Sequence, residues 1–173
     1  MHNNGMTRRE RQVTDPAEIK KILDTCHVLH LGLVDGDQPY VVAMNFGYEF
    51  ITEGDDERLV LYIHGARRGY KLDLMKANPK VFFEMECNVQ SFEGDVACRY
   101  GTSYESIMGS GIAAIIEDAD EKIHGLEVIM QSQTGKDFSG AFDEKLAGAV
   151  SVIRIDVKGY TAKRRPLPQM MEE

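Results

Sequence analysis

The stretch that decides the fold runs from Leu59 to Met75 and reads LVLYIHGARRGYKLDLM. Its first residues alternate in the way that predicts a β-strand with two different faces, because successive strand side chains point to opposite sides of a sheet. A glycine interrupts the strand, two arginines and a second glycine follow, and a short helical pattern begins. Asn78-Pro79 ends that helix, because proline cannot continue it and disfavours helical dihedral angles in the residue before it.

The turn between this strand and this helix has the composition of an anion-binding site. The first turn of a helix offers free backbone N–H groups and the positive end of the helix dipole. Arg67, Arg68 and Lys71 add cationic side chains, and the strand delivers His64 to the same turn. The spacing is not that of a strict phosphate-binding loop. The residues alone therefore leave open that the arginines are solvated turn residues and that His64 is an ordinary polar residue.

Length and composition predict one globular domain with a sizeable core. The chain has 173 residues, of which 43% are hydrophobic and 28% charged. Its formal net charge of −8 argues against a general nucleic-acid or anionic-membrane role, so an anion would be held by a local basic patch. No apolar run approaches the roughly 20 residues of a membrane span, and the N-terminus lacks a signal peptide's apolar segment. The three scattered cysteines fit a reducing compartment, and we expect a cytoplasmic protein.

Strand and turn signals predict a mainly β protein with inserted helices, of the α+β class. We expect strands at 27–34, 39–46, 48–51, 59–64, 80–86, 97–116 (two strands or one long bent one) and 150–157, and helices at 15–25, 70–78, 117–133 and 143–148. Residues 1–13 are expected to be a flexible segment, 14–165 a single domain and 166–173 a C-terminal tail. The short connections favour an antiparallel barrel decorated with helices, and a doubly wound parallel sheet is disfavoured.

The sequence shows no spacing typical of a metal site or a hydrolase triad. The motifs HExxH and GxSxG and the Walker loop are all absent. His27 and His30 flank apolar strand residues and are expected to be structural or solvent-facing. We therefore predict no metal ligands.

Five segments, taken in order, resemble the pyridoxamine 5′-phosphate oxidase-related flavoproteins, in particular the branch that includes the nitroimidazole-resistance (Nim-type) reductases. They are YVVAMNFGY at 40–48, LYIHGARRGYKLDL at 61–74, FEME at 83–86, RYGTSYESIMGSG at 99–111 and RIDVKGYTAKRR at 154–165. The resemblance spans nearly all of residues 14–165. It implies an FMN-binding split β-barrel, working as a homodimer with the flavin at the subunit interface, and it leaves FAD open as the alternative cofactor.

The resemblance also implies roles for particular residues. Segment 44–46 would lie along the isoalloxazine ring, and segment 64–66 would border the ring and the ribityl chain. Lys71, with one of the two arginines, would bind the phosphate, and Ser106 would line the site from either subunit. His64 is the expected catalytic residue. The full set of implied cofactor contacts is Met44, Asn45, Phe46, His64, Gly65, Ala66, Arg67, Lys71 and Ser106.

The activity implied by the resemblance is reduction of a small acceptor, such as a nitroaromatic compound, with electrons from a nicotinamide or another donor. The segment 163–165 is basic but is not the arginine-containing signature of the enzymes that oxidise vitamin B6, so that reaction is not expected. Two alternatives remain open. One is a flavin-binding protein without turnover, acting as a carrier or sensor, and the other is a barrel that binds haem or another ligand.

Overall fold

The structure, a computed structural model, describes residues 6–53 and 56–168. Seven strands and four α-helices lie within these residues, together with 3₁₀ turns at Arg9–Arg11 and Ala97–Arg99. In chain order the elements are β1 Gln12–Val13, α1 Pro16–Thr25, β2 Val28–Asp35, β3 Gln38–Glu53, β4 Asp56–Gly65, α2 Tyr70–Ala77, β5 Lys80–Phe92, β6 Gly101–Ile115, α3 Ala119–Thr134, α4 Glu144–Gly148 and β7 Ser151–Arg165.

Six strands close into an antiparallel barrel. They follow each other around it in the order β2, β3, β4, β7, β6, β5, and β5 pairs with β2 to complete the circle. Strand β7 makes the closure possible because it has 15 residues and two paired edges: it pairs with β4 through its first half and with β6 along most of its length. The predicted fold class, a mainly antiparallel β structure with inserted helices, is confirmed.

The barrel interior is filled by alternate apolar side chains, as the period of two requires. In β2, Leu29, Leu31 and Leu33 are buried, whereas the residues between them are less so. Helices α1 and α2 contribute apolar residues to the same core. Each such side chain contributes roughly 1.5–3 kcal/mol on burial. The largest fully buried residues are Phe46, Phe83, Ile22, Leu23, Leu29, Leu31, Leu61, Ile63, Met85, Ile107, Ile153 and Ile155.

Helix α3 covers part of the barrel's outer surface and forms a second apolar cluster there. Outward residues of β4 and β7, including Tyr62 and Val152, pack against Leu126 and Ile129 of the helix. The helix approaches the sheet closely at Gly47, where an added β-carbon would lie 2.6 Å from backbone atoms of Ile129. A glycine in this strand is therefore a packing requirement, because any side chain would push the helix away.

Four strands are longer than predicted, and β4 already begins at Asp56. The expected strands 39–46 and 48–51 are one continuous strand, because residues 46–53 pair with β4 without a break. Strand β5 runs past Asn88, a residue with positive φ beside an irregular register, and β7 continues to Arg165. The pairing of β6 with β7 shifts register between Ser110 and Gly111.

The described part of the N-terminal segment contacts the barrel. Gln12 pairs with Lys163 and Val13 with Ala162, so β1 extends the sheet beside the second half of β7. The expected flexibility of residues 1–5, and the end of the expected tail at 169–173, lie outside the described residues. Among the helices of the described chain, none has the length and apolar character that crossing a membrane requires.

Candidate functional site

The turn from β4 to α2 presents an uncapped helix start. Gly69, the residue before the helix, has φ of 151°, a conformation that favours glycine, and no side chain among the described residues caps the helix. Its carbonyl accepts from the N–H groups of Leu72 and Asp73. The helix thus begins without the carboxylate or hydroxyl group that normally accepts a hydrogen bond from its first N–H groups.

Tyr70 fixes this helix start against the barrel. Its hydroxyl donates a hydrogen bond to the carboxylate of Asp35, the last residue of β2. Its ring packs edge-on against Tyr40, with 5.4 Å between the ring centroids. The position of the basic turn is therefore set by the neighbouring hairpin as well as by β4.

Lys71 lies at the centre of the site. Its ammonium group is 3.5 Å from the sulfur atom of Met44, and the side chain is half-buried. A β-carbon added at Gly65 would lie 2.9 Å from the same nitrogen, so glycine there leaves room for the lysine. Within the described residues, no carboxylate forms an ion pair with Lys71. A half-buried cation whose partner in the described chain is a thioether is suited to an anionic ligand.

Arg67 and Arg68 extend the positive charge of this turn. Both side chains are exposed, and in the part of the chain that the structure describes neither forms an ion pair. Together with Lys71 they place three cations in a stretch of five residues, although the net charge of the protein is −8. Ala66 is exposed beside them. The cationic side chains that the sequence predicted for this turn therefore lie together at one helix start.

His64 lies near the end of β4, directly before the basic turn. It pairs with Val152 across the sheet, and its side chain is exposed at the end of the strand. Desolvation by the surrounding atoms, and then the positive charge of Lys71, lower the pKa of His64 below its ordinary value. The imidazole is therefore neutral at pH 7, with one nitrogen able to donate and the other able to accept a hydrogen bond.

The other predicted residues of β3 are divided between the site and the core. Met44 contacts Lys71, whereas Phe46 is buried in the barrel core. The exposed side chain of Asn45 donates to the carbonyl of His27 at 3.1 Å and to Gln133 at 3.2 Å. Gln133, at the end of α3, also donates to the carbonyl of Phe46 at 2.8 Å.

Gln133 was not predicted, and no sequence signal could have identified it. It is 87 residues from Phe46 and belongs to an element whose docking position is set by tertiary packing. A polar cavity of about 710 Å³ lies beside it, between α1, β3 and the end of α3. Its lining includes His27 and Gln133, the partners of Asn45, but no residue of the basic turn. The cavity is therefore separate from Lys71.

Ser106 lies on β6, between β5 and β7. It is 7% exposed and pairs with Glu86 on β5 and with Lys163 on β7. Near α2, the neighbouring part of β6 is Ala113, whose N–H group donates to the carbonyl of Pro79. Seven positions separate Ala113 from Ser106, or roughly 20 Å along a strand. The role of Ser106 toward a ligand at Lys71 stays a prediction.

The fold is a closed antiparallel barrel with a basic turn at the start of a helix. These features define the class of this protein. Residues 15–164 match the family model described as pyridoxamine 5′-phosphate oxidase, and the chain belongs to this family. The family that the sequence resembles is therefore confirmed. No curated protein matches the chain.

Solved structures with the same fold include a relative of the Nim type. A candidate 5-nitroimidazole antibiotic resistance protein from Bacteroides thetaiotaomicron is 30% identical, with 88% of this chain and 86% of that chain covered and a TM-score of 0.71. The flavocytochrome Anf3 from Azotobacter vinelandii is 19% identical, with coverages of 100% and 78% and a TM-score of 0.75. The FAD and heme binding protein from Mycobacterium smegmatis is 16% identical, with coverages of 93% and 77% and a TM-score of 0.73. These last two likenesses concern the fold.

Proposed function

We propose that this protein binds FMN and uses it to reduce a small acceptor, with nitroaromatic compounds as the substrate class. The observation that carries the proposal is the half-buried ammonium group of Lys71, which has no carboxylate partner among the described residues and lies beside an uncapped helix start. Family membership and the likeness to a candidate 5-nitroimidazole resistance protein support the same conclusion.

The charge of the turn favours a phosphate monoester. Such a group carries a charge of about −1.5 to −2 at pH 7 and presents three strong acceptor oxygens. Lys71 and the two arginines supply matching cations, and the first N–H groups of α2 supply further donors. FMN ends in a phosphate monoester, whereas both phosphorus atoms of FAD lie within a diphosphate bridge. The turn therefore favours FMN over FAD.

His64 would act toward the acceptor as a neutral hydrogen-bonding group. A bound flavin supplies the electron-transfer chemistry, and the protein supplies binding and orientation. Because Lys71 and desolvation lower the pKa of His64, the imidazole holds little of its charged form at pH 7. It can still donate one hydrogen bond and thereby orient a nitro or carbonyl oxygen.

We also propose that the protein works as a homodimer. The outer face of β2, β3 and β5 carries apolar side chains that a single barrel leaves uncovered, and a second copy would bury them. These residues, with their exposed fractions, are Val28 at 40%, Val34 at 45%, Val41 at 63% and Phe82 at 45%. A second copy could also bring its own Ser106 to the basic turn.

The activity is tested with FMN-loaded protein, a reduced nicotinamide donor and a 5-nitroimidazole under anaerobic conditions. We expect acceptor-dependent oxidation of the donor, and a decrease of about tenfold or more in kcat/KM for His64→Gln with unchanged FMN content. His124→Gln is the matched control, because His124 lies on α3 and pairs with Glu49, so it is not part of the basic turn. FMN-loaded protein that reduces no acceptor, even after chemical reduction of the flavin, would favour the carrier or sensor alternative.

A further inference from the structure

Two carboxylates and an imidazole converge on the outer face of the barrel. His30 on β2 is directly opposite Glu84 on β5, and Glu86 lies two residues further along the same face of β5. Nδ1 of His30 is 3.4 Å from Oε2 of Glu84 and 3.6 Å from Oε2 of Glu86. One potential ligand atom from each of the three residues lies within 4.8 Å of the others.

We propose that His30, Glu84 and Glu86 form a binding site for a divalent transition-metal ion, for which Zn²⁺ is the best-fitting probe, with water as the fourth ligand. Zinc is bound by imidazole nitrogen and carboxylate oxygen at about 2.0–2.2 Å, in tetrahedral geometry. Bonds of about 2.1 Å place neighbouring ligand atoms of a tetrahedron about 3.4 Å apart. The two distances from His30 therefore already match this geometry.

The charges of the cluster also call for a cation. Glu84 and Glu86 present two carboxylates to one imidazole, and within the described residues their ion pairs are formed with His30 alone. Like charges held this close repel each other, and a single histidine can neutralise at most one of them. A divalent ion would compensate both carboxylates. In the single chain the three side chains are between 33% and 41% exposed, and they lie on the same outer face as the apolar residues of the proposed subunit interface.

The His124–Glu49 pair provides an internal comparison. It has the same residue types and an Nε2–Oε2 distance of 3.0 Å, but it has one carboxylate and belongs to no such group of three. That geometry is explained by an ordinary ion pair or hydrogen bond. The second carboxylate at His30 is the feature that distinguishes the cluster from this pair and supplies a third ligand atom.

The sequence predicted no metal ligands because His30 and Glu84 are 54 positions apart and meet only through strand pairing. Spacing motifs detect ligands that share one helix or loop, and this group is assembled by the register of β2 with β5. The cluster lies on the outer face, whereas Lys71 lies at the turn before α2. The proposed metal site and the proposed phosphate site therefore share no residue.

The test is titration of the full-length protein after treatment with EDTA and desalting. Calorimetry with Zn²⁺ and absorption spectroscopy with Co²⁺ should both report one ion per chain, with a Kd of about 1 μM or tighter. His30→Gln and Glu84→Gln should each weaken binding at least about tenfold, because each removes one of three protein ligands. Glu49→Gln is the matched control and should bind as the unmodified protein does.

Thermal unfolding and flavin content of the same samples complete the experiment. Zn²⁺ should raise the Tm of the unmodified protein and of Glu49→Gln, with little effect on Glu84→Gln, because only a ligand that binds the folded state stabilises it. FMN retention should be the same in all of these variants. Folded protein that binds no Zn²⁺ at about 1 mM, or equal affinity in Glu84→Gln and the unmodified protein, would overturn the proposal.

Discussion

The positive charge of Lys71 acts on His64. The ammonium group of Lys71 is half-buried beside the sulfur of Met44, a weak acceptor that cannot compensate a full charge. The same charge acts with desolvation to lower the pKa of His64. A phosphate bound at Lys71 would compensate the ammonium charge. The pKa of His64 would then lie closer to its ordinary value.

The titration of His64 tests this coupling. In the flavin-free protein we expect His64 to titrate below its ordinary value of 6.5. Its folded-state pKa is depressed, so its contribution to stability is present above pH 6.5 and is lost as the pH falls through the folded-state pKa. Proton NMR of the imidazole measures the value, and Lys71→Met should raise it by removing the charge. A pKa of 6.5 or higher in the unmodified protein would contradict the account.

Helix α3 is held against the barrel by close packing at Gly47 and by the hydrogen bonds of Gln133. Gly47→Ala would place a β-carbon 2.6 Å from the backbone of Ile129, and backbone cannot rotate away as a side chain can. We expect a loss of about 1–3 kcal/mol in the free energy of unfolding. Urea denaturation measures it.

Gly159→Ala is the matched control for this substitution. Gly159 also lies in a strand, but no heavy atom lies within 4 Å of an added β-carbon. Its unfolding free energy should change by less than about 1 kcal/mol. Equal stabilities of the two alanine variants would show that α3 does not need glycine at position 47.

Helix α2 and the basic turn could be predicted because their signals are local. The glycines, arginines and Asn78-Pro79 all lie within 15 residues, and the helix ends at Ala77 as expected. The length of β3 could not be predicted, since residues 46–53 form one strand with their predecessors only through pairing with β4. The same limit explains why the contacts of Gln133 and the assembly of His30 with Glu84 were missed.

The association state of the protein depends on the uncovered apolar face of β2, β3 and β5. Phe82 is 45% exposed on this face, and a glutamate there would place a charge in the proposed interface. We expect the unmodified protein to be dimeric and Phe82→Glu to be shifted to monomer in analytical ultracentrifugation. Leu146→Glu, at a 53% exposed position on α4, is the matched control and should remain dimeric. A monomeric unmodified protein would contradict the homodimer.

The whole account depends on a flavin phosphate at the turn between β4 and α2. The direct measurement is the visible absorption spectrum of the protein after incubation with FMN and desalting. We expect flavin bands in the unmodified protein, retention of those bands in Lys76→Ala, and their loss in the double variant Arg67→Ala with Lys71→Ala. Lys76 lies in the last turn of α2, so its substitution removes one cation without touching the helix start. An unmodified protein that stays colourless, or a double variant that retains FMN equally well, would contradict the account.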